Sequence, residues 1–250
     1  MIAFGVIVKY LSLVGSFATI GTLLAMAFLL LDTEGRLSTQ AQKLRHLLWG
    51  SALTWAVGSF ATIVFTFAKM LDQPISVALD PTALKSFITQ VTLGQYLLFE
   101  TLVALLVAAS TFHVKRILSA VLLLILALAG LVAPVFQSHA ESSGSHGLAI
   151  GSLVIHVVAL SMWVGGTIAI ALLDPEDRPI AVRRFSELAL WSVIAVVASG
   201  SVNAWVRLDF QGAWNTAYAY VVIAKIAMTL ILIAMAVSYT HLTLPTNREV

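Results

Sequence analysis

Long apolar runs separated by short polar breaks organise this chain. A membrane-spanning helix needs roughly 20 mostly apolar residues. Seven stretches qualify: Phe4–Leu31, Leu47–Met70, Leu93–Phe112, Ile117–Phe136, Leu148–Leu173, Phe185–Val206 and Tyr218–Ser238. The longest break lies between Leu71 and Thr92 and contains Asp80-Pro81-Thr82. An aspartate followed by proline is a helix-start signal, so the pattern predicts a short interfacial helix feeding the third span. The first stretch does not read as a signal peptide. Its apolar run is too long and no basic segment precedes it, although Ala25-Met26-Ala27 superficially resembles a cleavage site. After Ser238 the pattern fails, and "SYTHLTLPTNREV" reads either as a cytoplasmic tail or as a foreign or frame-shifted end.

Composition sharpens this picture. The 250 residues are 60% hydrophobic and only 10% charged, against about a quarter charged in soluble domains. Such a chain cannot cover itself with polar surface, so its solvent is lipid. The expected fold is an all-α polytopic transmembrane bundle of about seven spans. A net charge of +2, with no basic run interleaved with aromatics, argues against nucleic acid as a partner. The absence of cysteine excludes disulfides, iron–sulfur clusters and thiolate metal sites. No Walker motif is visible, nor a phosphorylatable aspartate motif, so ATP-driven pumping has no support.

Loop charge predicts orientation. Alternate loops carry Arg36, Lys43 and Arg45, then Lys115 and Arg116, then Arg178, Arg183 and Arg184. The opposite set carries Lys69, Lys85 and Arg207. The arginine-rich loops should face the cytoplasm. The N-terminus and the loop after Phe136 should face outward.

Ionisable groups in lipid are expensive and mark function by default. Glu100, His156, Asn203 and Lys225 stand inside predicted spans, with Lys9 nearer an end. At about 1.5 Å per residue the first four fall in the outer half of the membrane and could share one layer. Plainer readings stand beside this one. Glu100 and Lys225 make a structural ion pair, Asn203 bonds a neighbouring helix, and Lys9 snorkels to the headgroups.

The outward loop "SHAESSGSHG" holds His139 and His146, seven residues apart among small polar residues, and His156 follows in the fifth span. Imidazole suits copper, zinc or iron, but a histidine pair in a polar loop is often only polar. Trp163 lies on nearly the same helix face as His156. Met162 points about 120° away and is a poor partner for it. Gly165-Gly166 permits close helix approach.

These pieces together resemble the copper resistance D family of bacterial inner-membrane proteins. The resemblance rests on His139, His146, His156, Trp163, Gly165 and Gly166; on Arg184-Phe185-Ser186; on Gly200, Asn203, Ala204 and Trp205; and on Tyr218 with Lys225. It covers roughly 137–236. The spans before it, 1–136, match only as the hydrophobic N-terminal part of longer members, and 239–250 stand apart as a tail. Two departures are visible. Tyr218-Ala219-Tyr220 stands where members commonly have Tyr-Gly, and relatives continue for at least one more helix, some with a fused oxidase-assembly domain.

The resemblance implies copper as the ion handled, movement across or tolerance at the inner membrane, and a small periplasmic copper-binding partner. His139, His146 and His156 are then the metal ligands, Glu100 offsets cation charge, and Lys225 has to be paired or neutral. No enzymatic role is expected. Two rivals remain: a membrane haem protein for electron transfer, which would need His139 or His146 folded inward, and a non-transporting scaffold for oxidase assembly.

Overall fold

A computed structural model describes residues 2–30, 35–137, 146–211 and 216–243. The described residues form an all-α transmembrane protein. Among the described residues, six helices are long and apolar enough to cross a membrane: Phe4–Leu29, Arg45–Leu71, Thr92–His113, Ile117–Gln137, Gly147–Ala171 and Arg178–Val206. The chain divides into two compact units, Met1–Gly200 and Ser201–Val250.

The first unit is built around α1 (Ile2–Leu24), which ends in a π turn over Ala25–Leu29. There the Leu30 amide donates to the Ala25 carbonyl at 3.1 Å. The turn is buried except at Phe28, with Met26 and Leu29 inside the main core. After the short α2 (Thr39–Lys43), α3 (Arg45–Leu71) packs along α1. Glycines set that crossing. A Cβ on Gly15 would strike the Trp55 backbone, and one on Gly58 would meet Ser12 at 2.8 Å. Small residues bring helix axes together where lipid supplies no hydrophobic drive between helices.

α3 stops at Asp72, which adopts the left-handed conformation (φ 52°) ahead of Pro74. The 71–92 break then holds α4 (Ile75–Ala78) and α5 (Pro81–Gln90). The Asp80 side chain accepts from the Thr82 and Ala83 amides at 3.0 and 2.9 Å, so the predicted cap starts the predicted helix. Phe87 of α5 stacks on Phe67 of α3, ring centroids 4.7 Å apart. α6 (Thr92–Ser110) packs against α3 and α5, and α7 (Ile117–Val132) against α1 and α6. α8 (His146–Ala171) lies on α1.

The three arginine-rich loops meet at one end of this unit. The Leu37 amide donates to the Lys115 carbonyl at 3.1 Å and the Ile117 amide to the Gly35 carbonyl at 3.2 Å. Arg45 donates from Nη2 to the Val114 carbonyl at 2.8 Å. Lys43 pairs with Asp174 at 2.7 Å. The alternation read from loop charge therefore corresponds to one physical face.

α9 (Arg178–Gln211) begins earlier than the apolar pattern suggested. Arg178, Arg183 and Arg184 stand in its first two turns, not in a loop. Pro179 fits a helix's first turn, where its missing N–H costs nothing. The Arg178 guanidinium donates to the Leu173 and Ala171 carbonyls, closing the end of α8.

The second unit holds the end of α9 and α10 (Ala217–Thr243). α10 carries the seventh predicted span and runs past Ser238 to Thr243. Tyr239 through Leu242 contain no helix breaker, and the first is Pro245.

Candidate functional site

His156 sits on α8, ten residues after the first residue of that helix. At 1.5 Å per residue this is about 15 Å, nearly three turns. The remaining fifteen residues of α8 lead to the basic face. His156 is therefore nearer the end of α8 opposite the arginines. Its ring is half-buried against α9. Nδ1 lies 3.1 Å from the Val196 carbonyl and 3.2 Å from the Ser199 hydroxyl. A carbonyl can only accept, so the Val196 contact favours hydrogen on Nδ1 and the lone pair on Nε2. Gly200 makes room for the ring: a Cβ there would stand 3.3 Å from Cε1.

The neighbouring glycines of α8 divide their work. Gly165 faces α1, where a Cβ would run into the Phe17 carbonyl and Gly21. Gly166 lies beneath the Phe185 ring of α9, and Phe185 is buried. One glycine thus seats α8 on α1, and the next seats α9 on α8. Trp163 is half-buried against the main core. Segments separated in sequence meet here: His156 with Gly200, and Gly166 with Phe185.

Glu100 is a separate arrangement. It is 8% exposed on α6, and its Oε1 accepts from Trp55 Nε1 of α3 at 2.8 Å. Trp55 is fully buried. One turn along α3, the Ser59 and Thr101 hydroxyls are 3.1 Å apart. A turn the other way, Thr19 and Ser51 hydroxyls are also 3.1 Å apart. Thr19 and Thr101 also donate to carbonyls four residues back in their own helices, which satisfies hydroxyls in a lipid-facing protein. The sequence reading missed Trp55 as a partner. Nothing in the periodicity of one helix says which residue of another will meet it.

Glu100 and His156 lie at comparable depth, about 12 and 15 Å from the starts of their helices. They engage different neighbours, α3 and α9. Asn203 and Lys225 belong to the second unit. Asn203 lies on α9, and Lys225 is exposed on α10. Lys9 is exposed on α1, as a snorkelling lysine is. His139 lies outside the described residues, as does the side chain of His146. His146 itself opens α8 instead of standing in the loop. No group of three metal-ligating side chains occurs among the described residues.

The family model for copper resistance protein D-like N-terminal domains matches residues 1–148, and that for copper resistance protein D matches residues 179–248. The chain belongs to the copper resistance protein D family. It is a membrane protein of copper resistance. The N-terminal match reaches over the first four spans, which the sequence motifs had left as merely hydrophobic. Residues 149–178, with His156, Trp163 and the two glycines, fall between the two matches. No curated protein and no solved structure matches the chain.

Proposed function

We propose that this copper resistance D protein carries copper across the bacterial inner membrane. His139 and His146 capture the ion on the outer side, and His156 receives it within the membrane. The observation that supports this reading is the seat of His156. A histidine that ligates a metal through one ring nitrogen usually donates from the other to a carbonyl or carboxylate, which fixes the tautomer. The Val196 carbonyl stands where that acceptor is needed, 3.1 Å from Nδ1.

The separation of about 15 Å between His146 and His156 along α8 supports reading these two as successive stations. Glu100 is occupied by Trp55 and lies against α3, so it is not counted among the ligands. On this reading the role is transport and not enzymatic chemistry, with a small periplasmic copper-binding protein as the donor.

Metal content of the purified protein tests the assignment. His139→Ala with His146→Ala should weaken copper loading at low metal and be partly rescued at high metal. His156→Ala should leave outer loading largely intact. Copper stoichiometry unchanged by loss of all three histidines would overturn it. Orientation has its own test, because the chain lacks cysteine. Ser143→Cys should react with an impermeant thiol reagent on intact spheroplasts, and reaction only after lysis would reverse the topology.

A further inference from the structure

At the basic end of the first unit, Arg36 and Arg116 face each other across an isolated antiparallel bridge. The bonds that make it run from the Leu37 amide to the Lys115 carbonyl and from the Ile117 amide to the Gly35 carbonyl. They flank the arginine pair and do not join it. That is the close pairing of an antiparallel ladder, in which opposed side chains leave from the same side at short range. Like charges directly opposite one another are destabilising there. Both arginines are exposed, and so is Lys115.

Among the described residues no ion pair joins a carboxylate to Arg36 or Arg116; Asp32 and Glu34, which precede Arg36 in the sequence, lie outside the described residues. The ion pair found there is Lys43 with Asp174, in the turn before α9 that also carries Glu176 and Asp177. Two residues before Arg116, the Val114 carbonyl is held by Arg45, whose buried Nε finds no acceptor among the described residues. The location supplies a candidate counter-charge. Arg116 immediately precedes the apolar span Ile117–Gln137, so the pair stands at headgroup level.

We propose that Arg36 and Arg116 form a seat for the phosphate of an anionic phospholipid. The bridge starts two arginine side chains from the same side at short range, and guanidinium binds phosphate oxygens in a two-pronged fashion. The lipid phosphate neutralises the repulsion that the bridge imposes. It thereby ties the first and third loops to the membrane surface.

The bridge is made by backbone groups, so Arg36→Gln and Arg116→Gln remove charge and leave it in place. The full chain is purified in neutral detergent, and its thermal midpoint is read with and without added phosphatidylglycerol or cardiolipin. Wild type should gain an upward shift from either anionic lipid and much less from phosphatidylcholine. Each Gln variant should lose most of that shift, while its midpoint in lipid-free detergent equals or exceeds that of wild type. Lys69→Gln with Lys85→Gln, at the other end of the unit, should keep the full shift. Anionic lipid bound to wild type should also survive into native mass spectra. An equal anionic shift in wild type and both variants would overturn the seat. A shift produced equally by inorganic phosphate would overturn its assignment to lipid. Should a Gln variant not be recovered folded, Arg36→Lys must still respond to anionic lipid, and failure to respond beyond the phosphatidylcholine control would count against the site.

Discussion

Glu100 and His156 meet the same difficulty in different ways. Each is a titratable group well inside an apolar helix, at similar depth. Glu100 is closed in by a fully buried indole and flanked by hydroxyl pairs one turn away on either side. His156 is half-buried, and the groups that hold its Nδ1 belong to a neighbouring helix kept close by glycine. The first arrangement is sealed by large side chains and serves packing. The second fixes a ring's tautomer while leaving the ring only partly covered, which suits a group that exchanges ligands. Stability should therefore be concentrated around Glu100 and transport around His156.

The heaviest blow to the packed side is Trp55→Ala. Removing a fully buried tryptophan costs about 3–5 kcal/mol and also strips Glu100 of its donor. Trp55→Phe separates the two effects. It keeps most of the packing and should cost about 1–3 kcal/mol, the penalty for a buried acceptor left unmatched. Unfolding in detergent measures both. A Phe variant as stable as wild type would mean that the bond to Glu100 does not matter.

Next in size is the crossing that carries the His156 helix. Gly21→Ala places a methyl group against Gly165 and should cost about 1–3 kcal/mol as an overpacking change. Gly50 is the control, since a Cβ there meets nothing. Gly50→Ala should be neutral or stabilising by up to about 1 kcal/mol. Equal behaviour of the two variants would show that the α1–α8 contact is not tight.

These tests mark where the sequence was readable and where it was not. Apolar runs located the spans, because each needs only its own residues to satisfy length and hydropathy. The cap at Asp80 was legible for the same reason: its partners are the next few amides. Gly165-Gly166 announced a close approach, but not that each glycine faces a different helix. The partner of Glu100 was hidden, since Trp55 comes from another span and no periodicity links them. The start of α9 was misplaced because a window that seeks apolar residues rejects three arginines, although a helix at the membrane surface accommodates them.

Ser199→Ala is a smaller perturbation. It removes the hydroxyl near His156 Nδ1 and leaves the Val196 carbonyl. Stability should fall by about 1 kcal/mol or less, with copper loading retained. Loss of loading would assign the ring to Ser199 and not to the main chain.

The smallest effect is expected at Lys43 and Asp174, both exposed. The pair raises the Lys43 pKa and lowers that of Asp174, in each case through their hydrogen bond and mutual attraction. The lysine's share of stability is full at lower pH and fades as pH rises through its raised value. The aspartate's share is full above the ordinary carboxylate range and fades as pH falls through its lowered value. The pair is therefore intact across neutrality. Lys43→Met should change the unfolding midpoint only slightly at neutral pH, and less still in high salt. A large, salt-insensitive loss would make the pair part of the fold's framework.

Copper flux into proteoliposomes, on matched amounts of folded protein, tests the central claim most directly when His156→Ala is set beside Glu100→Gln. The account predicts that His156→Ala folds normally and loses flux, and that Glu100→Gln is less stable but transports copper in proportion to what remains folded. Unchanged flux in His156→Ala, or loss of flux confined to Glu100→Gln, would contradict it.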